Sequence, residues 1–300
     1  MSKLVIFDGN AIIHRAYHAL PSSLTTRIGE PVNAVYGLTS MLLRVIQDLK
    51  PTHIAFAWDR PEPTFRHELL KSYQAQRPEA DSELVSQFEK AYAVVRAMHV
   101  PLLSLAGYEA DDMIGTITKQ TKVDEVIVVT GDRDILQLVD DDRNIKLYMP
   151  VKGLSDAKLF GEKETVERMG VTPSQIVDFK GLVGDPSDNY KGIPGIGPKT
   201  AATLIEKYGS FDEIYKHINE LPESTAKKLR EHKDEGDLSY KLAHIITNAP
   251  IEFDIEEAKK WQVDSPELLQ LFEEYGFRTL TKRVKDIGKQ ITSDKQTSLF

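Results

Sequence analysis

Three short apolar runs in this chain each end on aspartate, and no other feature restricts the fold as much. Residues 3–7 run into Asp8, residues 53–58 into Asp59, and residues 126–130 into Gly131-Asp132-Arg133-Asp134. A strand that delivers a carboxylate at its C-terminal end, where a helix then begins, is the usual site position in a parallel α/β sheet. Between the first two runs, Val35, Leu38, Leu42, Val45, Ile46 and Leu49 recur at helical spacing across 33–49. The pattern predicts a doubly wound, mostly parallel α/β sheet carrying acids along one edge. A single strand-end aspartate carries no information; three in register do.

The densest acidic stretch is Gly107-Tyr108-Glu109-Ala110-Asp111-Asp112, which opens a helix through Met113, Ile114 and Ile117. Carboxylates this close raise one another's pKa unless a cation sits among them. Taken alone, the stretch reads as a solvated helix start facing the positive end of the macrodipole. Its company argues for more. Asp132/Asp134 and Asp185/Asp188 form further acidic pairs, and Asp8 and Asp59 join them from the strand ends. An oxygen-only cluster of this kind is what a hard divalent cation such as Mg²⁺ requires. The chain has no cysteine, which excludes disulfides, zinc–thiolate sites and thiol nucleophiles.

The net charge of −8 seems to oppose a nucleic-acid partner. With the nine clustered carboxylates set aside, 37 acids remain against 38 bases, so distribution decides the matter. No apolar segment approaches membrane-spanning length and no signal peptide precedes Asp8; a cytoplasmic protein is the expectation.

A charged insertion spans roughly 61–89, ahead of a helix expected at 91–98. It is either an exposed helical hairpin or a clamp in which Arg66, Lys71 and Arg77 hold a phosphate above the acids. After Tyr148-Met149-Pro150 the composition turns helical, with helices expected at 161–169, 173–182 and 201–208. Gly192-Ile193-Pro194-Gly195-Ile196-Gly197-Pro198-Lys199-Thr200 opens the last of these. Pro198 breaks the Gly-Lys-Thr order of a P-loop, so nucleoside triphosphate binding is rejected. A glycine turn between helices that grips DNA phosphates without reading bases fits better. Lys227, Lys228, Arg230 and Lys233 follow on one stretch, which reads as a solvated face or as a contact with duplex backbone.

The ordered set Phe7-Asp8-Gly9-Asn10, Ala34-Val35-Tyr36-Gly37, Phe65-Arg66-His67-Glu68, Gly107 to Asp112, Gly131 to Asp134, Gly184 to Asn189 and Gly192 to Thr200 resembles the 5′-nuclease domain of bacterial DNA polymerase I and its flap-endonuclease relatives. The resemblance covers roughly residues 3–285. It implies an α/β nuclease region at 1–160 with an arch at about 61–89. A helical DNA-binding region of helix–turn–helix type would follow at 161–287. It implies a structure-specific 5′ nuclease using two Mg²⁺ or Mn²⁺ ions. Asp8, Asp59, Glu109, Asp111 and Asp112 would hold the first; Asp132, Asp134, Asp185 and Asp188 would hold the second. DNA contacts are implied at Tyr17, Gly192, Gly195, Gly197, Lys199 and Thr200, with K⁺ at the turn. The implied partners are 5′ flaps, nicked or gapped duplex and RNA primer ends, met by a monomer in replication and repair.

One position departs from the family pattern. Its arch carries Tyr-Lys-x-x-Arg, whereas this chain has Tyr73-Gln74-Ala75-Gln76-Arg77. Gln74 donates a hydrogen bond but brings no charge. Either Lys71 substitutes, or the chain is a flap-DNA-binding module of weakened activity; a metal-dependent RNase of similar topology is a third reading. The chain reaches Phe300 without a polymerase domain, as a free-standing nuclease or a fragment would. From Gly288 a disordered tail is expected, closing on Gln296-Thr297-Ser298-Leu299-Phe300. That pentapeptide resembles the peptide by which bacterial replication proteins dock on the sliding clamp, with Gln296, Leu299 and Phe300 as anchors.

Overall fold

The computed structural model describes residues 1–152 and 156–297. Six strands form one sheet: β1 (Lys3–Asp8), β2 (His53–Ala57), β3 (Leu102–Leu103), β4 (Glu125–Val129), β5 (Ile145–Lys152) and β6 (Asp156–Phe160), in the order β3-β2-β1-β4-β5-β6. All neighbours pair in parallel except β5 and β6. Around the strands run α1 (Gly9–Ala19), α2 (Asn33–Leu49), α3 (Phe65–Leu69), α4 (Ser82–Ala97) and α5 (Ala110–Gln120). Past β6 the chain is helical: α6 (Glu162–Met169), α7 (Ile176–Val183), α8 (Pro198–Tyr208), α9 (Phe211–Lys216), α10 (Glu223–Glu231), α11 (Lys233–Ala243), α12 (Ile255–Ala258), α13 (Pro266–Glu274) and α14 (Arg278–Thr297). No helix among the described residues is long and apolar enough to cross a membrane.

Continuous apolar strands have to be covered on both faces. Val5, Phe7, Ile54, Phe56, Ile127 and Val129 point to a core closed by α1, α2, α4, α13 and α14. Leu4, Ile6, Ala55, Ala57, Val126 and Val128 point to a second core, closed by α5, α7, α8 and α9. Phe7 stacks on Phe56 with ring centroids 4.6 Å apart, tying the neighbouring strands β1 and β2 together on this face.

Three expectations need correction. The sheet does not end near Pro150, because β5 and β6 form an antiparallel edge hairpin. Pro150 lies beyond the part of β5 that pairs with β4, where a missing N–H costs little. Helix α4 begins at Ser82, nine residues earlier than expected. Its buried stripe includes Gln87, whose polarity hides the periodicity. The Gln87 side chain accepts from Ala34 N at 2.8 Å and donates to Asn33 Oδ1 at 2.9 Å, capping α2. Finally, the expected disordered tail from 288 is helical as far as Thr297. Leu280, Val284 and Ile287 are buried and Ile291 packs on the same core, so the apolar spacing continues past Gly288. Lys50 pairs with Asp294 at 3.5 Å. Leu299 and Phe300 of the expected clamp peptide, and the side chain of Gln296, lie outside the described residues.

Candidate active site

Strand register brings the acids together. Asp8 pairs with Ala57 and Phe7 with Val129, so Asp8, Asp59 and the 130–134 turn leave the sheet at one edge. Asp8 caps α1, its carboxylate accepting from Ala11 N at 3.0 Å and from the Thr130 hydroxyl at 2.7 Å. A Cβ on Gly9 would meet the Trp58 ring at 2.4 Å, so glycine is what lets α1 start this close to β2. The Asp59 N–H donates to Asn10 Oδ1 at 3.0 Å, and its carboxylate accepts from Ala110 N at 2.7 Å. Each acid is thus oriented by the backbone of a neighbouring element.

Asp8, Asp59, Glu109, Asp111, Asp132, Asp134 and Asp188 line one cleft of about 610 Å³. Burial pushes Asp8 up to about 7, and Asp59 and Asp132 add repulsion. Burial likewise carries Glu109 to about 7 and raises Asp59. Asp111 lies well above the carboxylate range, through burial and then repulsion from Asp132, Asp8, Glu109 and Asp59. No hydrogen bond to the Asp111 carboxylate is found among the described residues. Carboxylates crowded around one cleft and facing mainly one another, with oxygen the only donor atom, suit a hard divalent cation.

One oxygen from each of Asp134, Asp185 and Asp188 falls within 4.8 Å of the others, a second cation-sized grouping. Sequence reasoning missed what stands there. The Lys180 ammonium, from α7, contacts the Asp134 carboxylate and reaches Asp185 Oδ2 at 2.5 Å. Burial alone would raise Asp185, but Lys180 and the Ser187 hydroxyl outweigh it and hold this carboxyl below its ordinary value. Asp134 is raised by burial to about 6 against the pull of Lys180. A lysine five residues ahead of Asp185 is the only signal the sequence offers.

Asp112 and Arg66 are placed together. Asp112 is fully buried, does not line the cleft, and takes both terminal nitrogens of Arg66 at 2.8 and 2.9 Å. It also accepts from Ile246 N at 2.9 Å. Arg66 donates further to Leu242 O at 3.0 Å and His244 O at 2.9 Å, and approaches Glu109 at 3.4 Å. Four of its five N–H donors thus form hydrogen bonds, and its edge also lines the cleft. In this geometry the pair forms a buried strut at the wall of the cleft.

The rest of the insertion crosses the cleft mouth. Tyr73 OH donates to Asp188 at 3.2 Å and Glu109 at 3.3 Å, while Arg77 pairs with Asp188 at 2.6 Å and stays half exposed. Gln74, at φ 55°, lines the cleft, and its N–H donates to Asp188 O at 3.0 Å. Lys71 is exposed and outside the lining. Asn10, His14, His67 and Tyr73 border the cleft without having been named as site residues from the sequence.

Helices α7 and α8 frame the glycine turn. Gly184 and Gly192 have φ of 73° and 61°, and a Cβ on either would come within 2.3 Å of opposed backbone. Gly197 caps α8 with Pro198 at its first position, and Lys199 and Thr200 are exposed there. Gly195 O accepts from Lys228 at 3.0 Å. Tyr17 is half-buried on α1, outside the cleft lining.

Residues 3–170 match the family model of the 5′–3′ exonuclease N-terminal resolvase-like domain, and residues 171–266 that of the 5′–3′ exonuclease C-terminal SAM fold. DNA polymerase I of Bacillus subtilis (strain 168) is 36% identical over 296 residues, covering 98% of this chain and 33% of that protein. The chain thus spans about a third of the curated relatives it matches. Among solved structures, the T5 5′-exonuclease with bound zinc has a TM-score of 0.67 at 21% identity, covering 95% of this chain and 98% of that one. The bacteriophage T5 flap endonuclease in complex with DNA and metal ions has a TM-score of 0.67 at 20% identity, covering 95% of this chain and 97% of the other.

Proposed function

The chain belongs to the 5′–3′ exonuclease family, and from that premise we propose that it hydrolyses DNA phosphodiesters at 5′ ends and 5′ flaps with two divalent cations, independently of base sequence. The observation that carries this reading is the convergence of seven carboxylates from five segments into one cleft under the insertion. Asp8, Asp59, Glu109 and Asp111 are the candidate ligands of one cation; Asp132, Asp134, Asp185 and Asp188 are those of the other. Mg²⁺ or Mn²⁺ suits an all-oxygen set. Bound cations would supply a water of lowered pKa and positive charge opposite the leaving 3′-oxygen.

The chain's own residues prepare for that chemistry. Lys180 holds Asp134 and Asp185 together, offsetting their repulsion. Arg77 has exposed guanidinium surface left to meet a phosphate while it anchors the insertion to Asp188. Gln74 offers its amide to the same cleft without charge, the observation favouring a slower enzyme as the alternative. The glycine turn, Lys199 and Thr200 suit sequence-independent contact with duplex backbone, with K⁺ at the turn carbonyls. A 5′-labelled flap duplex incubated with Mg²⁺ or with chelator provides the test. Short 5′-phosphorylated products only with Mg²⁺ are expected. Binding without cleavage at any Mg²⁺ or Mn²⁺ concentration would leave the binding-module reading in its place. Docking on a sliding clamp through Gln296, Leu299 and Phe300 stands as a separate proposal. Calorimetric titration of the intact chain, and of one lacking 296–300, against the clamp tests it.

A further inference from the structure

The insertion is tied to the loop that carries Asp188 by contacts of two kinds. One kind ends on the Asp188 carboxylate: Arg77 donates to Oδ1 at 2.6 Å and Tyr73 OH to Oδ2 at 3.2 Å. The other kind is neutral and runs through backbone and amides. Gln74 N–H donates to Asp188 O at 3.0 Å, Asn189 Nδ2 to Ser72 O at 2.6 Å, and Gln76 Nε2 to Asn189 Oδ1 at 2.6 Å. Asn189 has a φ of 61°, a left-handed conformation that asparagine adopts more readily than most side chains. Gln74 opposite is left-handed too, at φ 55°, and a glutamine keeps that conformation only where its surroundings impose it. The Tyr73 ring packs with Val177, Tyr190, Leu242 and Ala243. One seated ring leaves a segment free to pivot, whereas the Asn189 bonds fix Ser72 and Gln76 on either side of it.

A cation in the cleft would act on the two kinds of contact differently. Asp188 is a candidate ligand, and a carboxylate that coordinates a divalent ion gives up the lone pairs and negative charge on which Arg77 and Tyr73 now depend. The neutral contacts use other atoms, namely main-chain oxygens and the Asn189 amide. Gln74 and Arg77 line the cleft from the stretch that these bonds fix. We propose that Asn189 is a positioning residue for the phosphodiester chemistry: its side chain keeps the insertion in register over the cleft when a divalent cation draws Asp188 away from Tyr73 and Arg77. Arg77 is then released toward a phosphate without the insertion leaving the cleft.

Because this role rests on the two-cation reading, Mg²⁺ uptake is measured first, by calorimetric titration; none by the wild-type chain overturns that reading and this role with it. Hydrogen exchange of the amides of residues 72–77 is then followed by mass spectrometry, without DNA, in chelator and in saturating Mg²⁺. The variants are Asn189→Gly and Gln76→Ala. Glycine suits a φ of 61°, so Asn189→Gly removes the side-chain bonds without straining the backbone. In chelator, where Asp188 still holds the insertion, both variants should exchange within about twofold of wild type. Mg²⁺ should leave the wild-type segment within about twofold of its metal-free rate. It should speed exchange about tenfold in Asn189→Gly, which lacks two hydrogen bonds, and about fivefold in Gln76→Ala, which lacks one. Acceleration that is equal with and without Mg²⁺ reduces Asn189 to an ordinary structural contact and overturns the proposal. So does acceleration in neither condition, or a wild-type segment that loosens on adding Mg²⁺. In single-turnover cleavage of a flap duplex, Asn189→Gly should lower the maximal rate about tenfold while flap affinity stays within about twofold. An unchanged rate, or a loss confined to affinity, overturns it as well.

Discussion

At the scale of single residues, the sequence grouped nine carboxylates by type, and the structure divides them by environment. Asp112 and Asp111 are adjacent, yet Asp112 is neutralised by Arg66 while Asp111 faces carboxylates. Removing one member of a buried hydrogen-bonded pair leaves the other charge uncompensated. Arg66→Ala and Asp112→Ala should therefore each destabilise the protein by about 3–5 kcal/mol. Their double mutant should cost much less than the sum. Urea unfolding of the three variants measures this; a loss under about 1 kcal/mol for either single variant would contradict the strut. The opposite sign is expected at Asp111. Without divalent cation, Asp111→Asn relieves repulsion among buried acids and should raise Tm by at least about 2 °C. Saturating Mg²⁺ should raise the Tm of the wild-type chain more than that of the variant, because the variant loses a ligand. Scanning calorimetry with and without Mg²⁺ reads both effects.

At the scale of elements, the α7–α8 turn and the insertion carry the sharpest expectations. Gly184 and Gly192 face each other too closely for any Cβ and both have positive φ. Gly184→Ala or Gly192→Ala should cost about 2 kcal/mol or more and weaken blunt-duplex binding at least tenfold. Retention of wild-type duplex affinity in both would remove the turn from the DNA interface. In the insertion, Gln74 lines the cleft while Lys71 lies outside it. Gln74→Lys should therefore raise single-turnover cleavage, by roughly ten- to a hundredfold if the charge acts mainly in the transition state. Lys71→Ala should leave it unchanged. Quench-flow on a flap duplex decides; a slower Lys71→Ala enzyme would mean that the insertion closes further when DNA binds.

At the scale of the whole molecule, the two family regions are tied together through the site. Segment 242–249 receives Arg66, Asp112, Thr116 and Gln137 of the first region: Ile246 N meets Asp112 at 2.9 Å, Ala249 N meets Thr116 at 3.0 Å, and Ala243 O meets Gln137 at 3.0 Å. A Cβ on Gly115 would come within 2.6 Å of Ile245, so α5 and this segment are in direct contact. Regions this interlocked unfold together. One calorimetric transition is expected for the intact chain, with calorimetric and van't Hoff enthalpies in agreement; two resolved transitions would show that the regions fold independently.

The sequence by itself determined the three adjacent strands β2, β1 and β4, the edge at which the acids collect, and the glycine turn. Those features are written in local periodicity and in residue types with few alternative uses, such as strand-end aspartates and Gly-x-x-Gly-x-Gly. Tertiary structure decided what no local pattern encodes. Gln87 breaks the stripe of α4 because it caps another helix. Ile291 extends α14 because a core formed by distant segments receives it. Asp112 turns to Arg66, and Lys180 enters the acid cluster, through contacts 46 residues apart in each case. A charged side chain's role depends on the charge it faces and on how far both are removed from water. Neither quantity exists before the chain has folded.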